Sequence, residues 1–128
     1  CFAKRLVCCD IQAWEYQPLG LFQAKALTTS VSPWIDSPLA LAPFRTSTPK
    51  REAPLLPYLL EPRPMLFDIN LSVKLKTEES VASHTIAQTN YSYMYYSAAQ
   101  QLAHHASSSC AMTAGDLLGS GTISGCLN

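Results

Sequence analysis

Charge is scarce in this sequence. Only 14% of its 128 residues are charged, and nine basic residues cancel nine acidic ones. Without net charge there is no uniform field to draw in nucleic acid or an acidic membrane, so a charged ligand has to be met by local geometry. Long apolar runs are also missing. None approaches the ~18 residues that span a bilayer, and the opening CFAKRLVCC lacks the ordered basic head, apolar stretch and small-residue cleavage site of a signal peptide. There is no C-x-x-C pair, and the five cysteines are odd in number, with Cys1, Cys8 and Cys9 at one end and Cys110 and Cys126 at the other. Neither a disulfide framework nor a zinc site follows from that spacing, and reduced thiols in a cytosolic protein are expected. No internal repeat is visible. The first residue is Cys1 and not Met, so the chain is expected to begin inside a longer protein.

Apolar residues are plentiful. At 48% hydrophobic, the sequence is too rich in core formers for disorder, and its length suits one domain. Eight of the nine prolines lie between Pro33 and Pro64 and set off a middle segment. Proline removes a ladder donor and restricts the residue before it, so this middle is predicted to be loop, not sheet. A short helix is expected there, with Ser37 as cap, Pro38 in its first position and Leu39 to Leu41 following. Leu55, Leu56, Tyr58, Leu59 and Leu60 call for burial, which predicts an ordered loop packed on the domain.

From Phe67 to Lys76 apolar and polar residues alternate, placing Phe67, Ile69, Leu71, Val73 and Leu75 on one face of a strand. Thr77 to Ser80 reads as a turn, and Val81 to Gln88 as the returning strand of a hairpin. Tyr91, Tyr95, Ala98 and Leu102 then recur at helical spacing, predicting one long helix capped by Thr89 or Asn90 and ending near His105. After Ser107-Ser108-Ser109, the segment Asp116 to Ser124 reads as another strand. The sum is a mostly β domain with one long helix near residues 90–105 and long ordered loops.

Local chemistry points to little by itself. His104 and His105 are adjacent on a helix, about 100° apart, and cannot share one metal; His84 has no evident carboxylate partner. Three tyrosines and Met94 in YSYMYY can line a pocket, although aromatics at helical spacing more often pack a core. Asp68 and Asp116 can each meet a cation, although turn carboxylates are more often solvated. Gly119-Ser120-Gly121-Thr122 offers amides and hydroxyls that suit a carboxylate, but without the Walker lysine it is no phosphate loop.

Taken in order, DIQAWEYQPLG, TTSVSPW, LPYL, FDINLSVKLK, YMYYSAAQQLAHH and GDLLGSGTISG resemble consecutive segments of the fumarylacetoacetase family, the fumarylacetoacetate hydrolases of tyrosine and phenylalanine breakdown. The resemblance runs from about Asp10 to Gly125. It implies that residues 10–128 are part of the family's C-terminal catalytic domain, an incomplete β-rich mixed roll or sandwich with an ordered proline-rich loop over residues 33–64. Residues 1–9 do not match. Arg5 stands where the family has a metal-binding aspartate, Cys9 where it has an arginine, and Thr28 where it has a glycine; foreign sequence or a truncated copy is expected at this end.

The resemblance implies hydrolysis of the carbon–carbon bond of 4-fumarylacetoacetate to fumarate and acetoacetate by a cytosolic homodimer. Calcium or magnesium would chelate the diketone, and a His–Glu pair would activate water. Gln12 resembles a substrate-binding donor that stabilises the acetoacetate carbanion, and Tyr16 a tyrosine that contacts substrate. Thr122 resembles the threonine that binds a substrate carboxylate. Lys25 resembles a lysine near the carbanion that also contacts a second cation, necessarily through its carbonyl because an ammonium cannot ligate a metal. Thr29 would supply the same ion with another oxygen. The other metal carboxylates, the His and the Glu are not expected in this chain, so the chain alone is expected to be inactive. The alternative is a non-enzymatic remnant that binds a small carboxylate or a partner subunit. Neither nucleic acid nor a membrane is an expected partner.

Overall fold

The computed structural model describes residues 3–123, with backbone only for residues 3–6. The chain divides into two compact units, Cys1–Pro38 and Leu39–Asn128.

In the first unit, β1 (Ala3–Leu6) pairs antiparallel with β2 (Thr28–Val31), from Ala3 opposite Val31 to Leu6 opposite Thr28. Between them lie α1 (Cys9–Glu15) and a 3-10 turn, Gln23–Lys25. Asp10 in the first turn of α1 suits the positive end of the helix. The helix stops at Tyr16, and Gln17-Pro18 cannot continue it. No residue of α1 is buried, so tertiary packing of an apolar face does not hold this helix. The Glu15 carboxylate and a backbone bond from Cys8 N–H to the Ala24 carbonyl (3.2 Å) tie it to the turn. Ala24 is fully buried there.

Residues 38–41 form a turn where a short helix with Pro38 in its first position and Leu39 to Leu41 following is predicted, and the second unit continues into a 3-10 turn, Ala42–Phe44. A two-residue strand, β3 (Arg45–Thr46), follows and pairs with β4 (Leu66–Phe67). The proline-rich middle thus contributes to a sheet after all. Both β3 residues keep their N–H groups, and the prolines at 43 and 49 fall outside the pairing. The Arg45 guanidinium lies 5.3 Å from the Phe67 ring centroid, a cation–π contact across this pair. Burial in the middle is narrower than its leucines suggest: Leu59 is buried and Leu55 half-buried, while Leu56, Tyr58 and Leu60 are exposed.

The strand predicted over Phe67–Lys76 is two strands. β4 ends at Phe67, and β5 (Asn70–Leu75) pairs with β6 (His84–Asn90). The break has a side-chain cause. The Asn90 amide donates to Asp68 (2.6 Å) and to Asn70 (3.0 Å), while Tyr91 N–H donates to the Ile69 carbonyl (2.9 Å). Asp68 N–H still points to Phe44 (2.7 Å), so the chain changes partners at Asp68 and Ile69. The alternation survives in burial: Phe67, Ile69, Leu71 and Val73 are half-buried and only Leu75 is exposed. The turn at Thr77–Ser80 is present, closed by Ser80 N–H to the Thr77 carbonyl at 3.2 Å. The return strand runs to Asn90, beyond the predicted Gln88, and a bulge lies between the Val73 and Lys74 positions.

The single long helix is also corrected. Asn90 accepts from Ser92 N–H (2.8 Å) and caps only a 3-10 turn, Tyr91–Tyr93, after which Met94 is extended. α2 (Ala98–Ser107) starts afresh at Ser97. Its hydroxyl accepts from Gln100 N–H (3.1 Å) and the Gln100 side-chain oxygen Oε1 accepts from Ser97 N–H (3.0 Å), a reciprocal capping box. Ser97 also donates to Glu61, and Gln100 Nε2 donates to the Leu59 carbonyl at 2.9 Å. Ser97, Gln100, Leu59 and Leu66 are the buried residues of this unit among those described, so a polar network shares the interior with two leucines. No strand occurs over residues 116–123; Ser124, the end of the predicted strand, lies outside the described residues. Among the described residues there are three two-stranded sheets and two helices, with less strand and a shorter helix than the sequence pattern suggests.

Two stability experiments follow. Ser97→Ala removes the cap and leaves Glu61 and Gln100 N–H without a partner, and is expected to cost about 1–2 kcal/mol in a denaturant melt. Leu66→Ala, at a fully buried position, should cost about 2–5 kcal/mol.

Candidate functional site

The residues singled out by sequence fall into two groups, one in each unit. In the first, Gln12 is half-buried on α1 and Tyr16 is its exposed C-terminal neighbour, four positions on and so on the same side of the helix. Lys25 closes the 3-10 turn and is half-buried; Thr29 is exposed on β2, paired with Arg5.

Glu15 connects these pieces, and sequence reading missed it. Its Oε1 accepts from Phe22 N–H (2.8 Å) and Ala24 N–H (2.8 Å), and its Oε2 from Gln23 N–H (2.9 Å). One carboxylate thus satisfies three consecutive amides leading to Lys25. A signal was present in the sequence: an acid in the last turn of a helix faces the negative end of the helix dipole and is misplaced unless it has donors elsewhere. Desolvation alone would raise the Glu15 pKa, but the bonds from Ala24, Phe22 and Gln23 together outweigh it and hold the carboxyl below its ordinary value of 4.5.

In the second unit, Thr122 lines an open depression of about 330 Å³ together with Tyr93, Met94, Tyr95, Tyr96, Gln101, Ser120 and Ile123. The YMYY tyrosines therefore line a concavity, and at least Tyr93, Tyr95 and Tyr96 are exposed instead of forming a core. Tyr95 and Tyr96 meet edge to face, with centroids 4.8 Å apart. Arg51 holds them: its guanidinium carbon lies 5.3 and 5.2 Å from the two centroids, and Nη2 donates to the Tyr95 carbonyl (3.1 Å) and to Gln100 (2.9 Å). Arg51 Nη1 is buried without a hydrogen-bond partner. Gly121, with φ of +79°, sets the backbone direction just before Thr122 in a conformation that other residues rarely adopt.

The remaining candidates take structural places. His104 Nδ1 is 3.0 Å from the Tyr58 hydroxyl and the rings stack, while His84 lies 3.3 Å from the Ser80 hydroxyl. Asp116 accepts from Thr113 N–H (2.8 Å) in a local turn, and Asp68 is bound to Asn90. Cys8, Cys9 and Cys110 are free thiols. Among the described residues no group of three His, Cys, Asp or Glu side chains is arranged to hold a metal ion. No helix among them is long and apolar enough to cross a membrane.

Sequence comparison agrees with these segments. The profile of the family described as fumarylacetoacetate (FAA) hydrolase C-terminal matches residues 2–127, and the chain belongs to this family. Individual relatives share about half of its residues. The fumarylacetoacetase of Homo sapiens is 51% identical over 116 residues, which is 91% of this chain and 28% of that protein. Those of Bos taurus and Arabidopsis thaliana are 50% and 48% identical over the same shares. The chain thus spans little more than a quarter of the length of these relatives.

Two outcomes are expected. The depressed Glu15 pKa means that its stabilising contribution is complete above the ordinary glutamate range and is lost as pH falls through the lowered native value. The stability difference between wild type and Glu15→Gln should therefore shrink as pH falls through and below the ordinary glutamate value of 4.5 in denaturant melts. Gly121→Ala meets no atom within 4 Å, so its cost should be backbone strain alone, about 1–2 kcal/mol, with a local change in the Thr122 amide resonance.

Proposed function

We propose that this chain is the substrate-contacting part of a fumarylacetoacetase, whose whole protein hydrolyses 4-fumarylacetoacetate to fumarate and acetoacetate in tyrosine and phenylalanine breakdown. The observation that carries this reading is the identity of about half of its residues, over 91% of the chain, to proteins named fumarylacetoacetase. In the reaction the bond between the fumaryl carbonyl carbon and the acetoacetate carbon breaks. Hydroxide from water ends on the carbonyl carbon, and a proton ends on the departing carbanion.

The chain's own residues suit the two products. The Gln12 amide donates to the developing acetoacetate anion, and the Lys25 ammonium offsets its charge, donors of the kind that stabilise a carbanion most when fixed beforehand. Tyr16 adds a hydroxyl on the Gln12 side of α1. Thr122, through its hydroxyl or N–H, and Ser120 in the same depression, suit the fumarate carboxylate, while the tyrosine rings suit its flat apolar carbons. The calcium or magnesium chemistry of the proposed whole enzyme finds no carboxylate set among the described residues, and the Thr29 and Lys25 oxygens alone do not fit a hard cation.

A second reading, a non-catalytic piece that binds a small carboxylate or a partner subunit, is favoured for the isolated chain by that same lack of ligands. Trp14 and Val81 are 89% and 98% exposed, as are many other large apolar side chains, and such surface fits coverage by the rest of a cytosolic homodimeric enzyme. The two readings separate by assay. A full-length protein carrying this segment should consume the diketone absorbance of fumarylacetoacetate, and Gln12→Ala or Thr122→Val should lower kcat/KM on the order of 100-fold. The isolated chain with calcium should not. A full-length protein without hydrolysis would overturn the enzymatic reading.

A further inference from the structure

The three amides held by Glu15 belong to consecutive residues, Phe22, Gln23 and Ala24, and the next residue is Lys25. Ala24 is also held by its carbonyl, which accepts from Cys8 N–H at 3.2 Å, and its side chain is fully buried. The backbone that delivers Lys25 is therefore pinned by both of its polar groups and by packing. On α1, Glu15 lies three residues after Gln12, on the same face, and next to Tyr16. A single side chain thus bridges the helix bearing Gln12 and Tyr16 and the turn bearing Lys25.

The chemistry of the bridge is specific to a carboxylate of this length. Three N–H donors need acceptor capacity on both oxygens, which an ionised glutamate supplies. Glutamine keeps one oxygen, enough for Phe22 and Ala24, but turns an NH2 group toward the Gln23 N–H. Aspartate is one methylene shorter. Bonds from amides to an ionised carboxylate are roughly twice as strong as neutral ones, which offsets the unfavourable place of an acid at the end of α1.

We propose that Glu15 is the positioning residue of the acetoacetate side of the site: it fixes Lys25 relative to Gln12 and Tyr16 without touching the substrate. This rests on the reading that Gln12 and Lys25 face the acetoacetate anion, and it adds a residue which that reading does not contain.

The test uses the isotope-labelled chain titrated separately with acetoacetate and with fumarate, followed by NMR at the Gln12 side-chain amide, Lys25 and Thr122. In wild type, acetoacetate should shift Gln12 and Lys25, and fumarate should shift Thr122. Glu15→Ala should weaken acetoacetate at least tenfold and leave fumarate unchanged. Glu15→Gln should fall between them, since it retains two of the three bonds. General destabilisation would weaken both anions together, and that result would overturn the positioning role. So would acetoacetate binding equally well to wild type and Glu15→Ala. A wild-type chain that binds neither anion would instead overturn the functional reading on which the role rests.

Discussion

Backbone amides outside sheets and helices have to find acceptors, and this chain meets that constraint with a few polar side chains. Among the described residues the sheets are two-stranded and two strands have only two residues, so ladders satisfy few groups. Ala24, Leu59 and Leu66 are the buried apolar residues among those described, too few to order the chain by burial alone. The Glu15 carboxylate closes three amides, Asn90 ties Asp68 and Asn70 to the Tyr91–Tyr93 turn, and Ser97 with Gln100 starts α2 and joins it to Leu59 and Glu61. A buried amide without a partner costs about 1–3 kcal/mol, which makes the buried Ser97–Gln100 node worth more than one ordinary hydrogen bond.

Two of these nodes also stand next to residues proposed to meet substrate. Glu15 separates Gln12 from Tyr16 on α1 and leads to Lys25. Gln100 binds Arg51, which lies against the Tyr95 and Tyr96 rings that line the depression with Thr122. Glu15 and Gln100 thus both order the backbone and fix proposed binding groups, which is the arrangement a site needs when donors must be in place before charge develops.

Sequence pattern made some of this legible and hid the rest for identifiable reasons. Period-two alternation found the face shared by Phe67, Ile69, Leu71 and Val73, because burial follows the pleat even where the strand breaks. It could not see the break, since that depends on Asn90 arriving from more than twenty residues away. Helical spacing from Tyr91 to Leu102 concealed a competition in which the Ser97–Gln100 capping box starts the helix and the preceding tyrosines become a turn. The segment words carried Gln12, Tyr16, Lys25, Thr29 and Thr122, but a word does not reveal which neighbour holds it. Glu15 and Arg51 act through contacts 7 to 9 and 44 to 49 residues away along the chain.

Polar side-chain nodes, more than ladders or apolar burial, order this chain. Residue-resolved amide hydrogen exchange tests this most directly. The amides of Phe22, Gln23, Ala24, Ser92, Ser97 and Gln100 are expected to be protected at least as strongly as those in the centre of β5 and β6. Free exchange at these six positions, with protection confined to the strands, would contradict it.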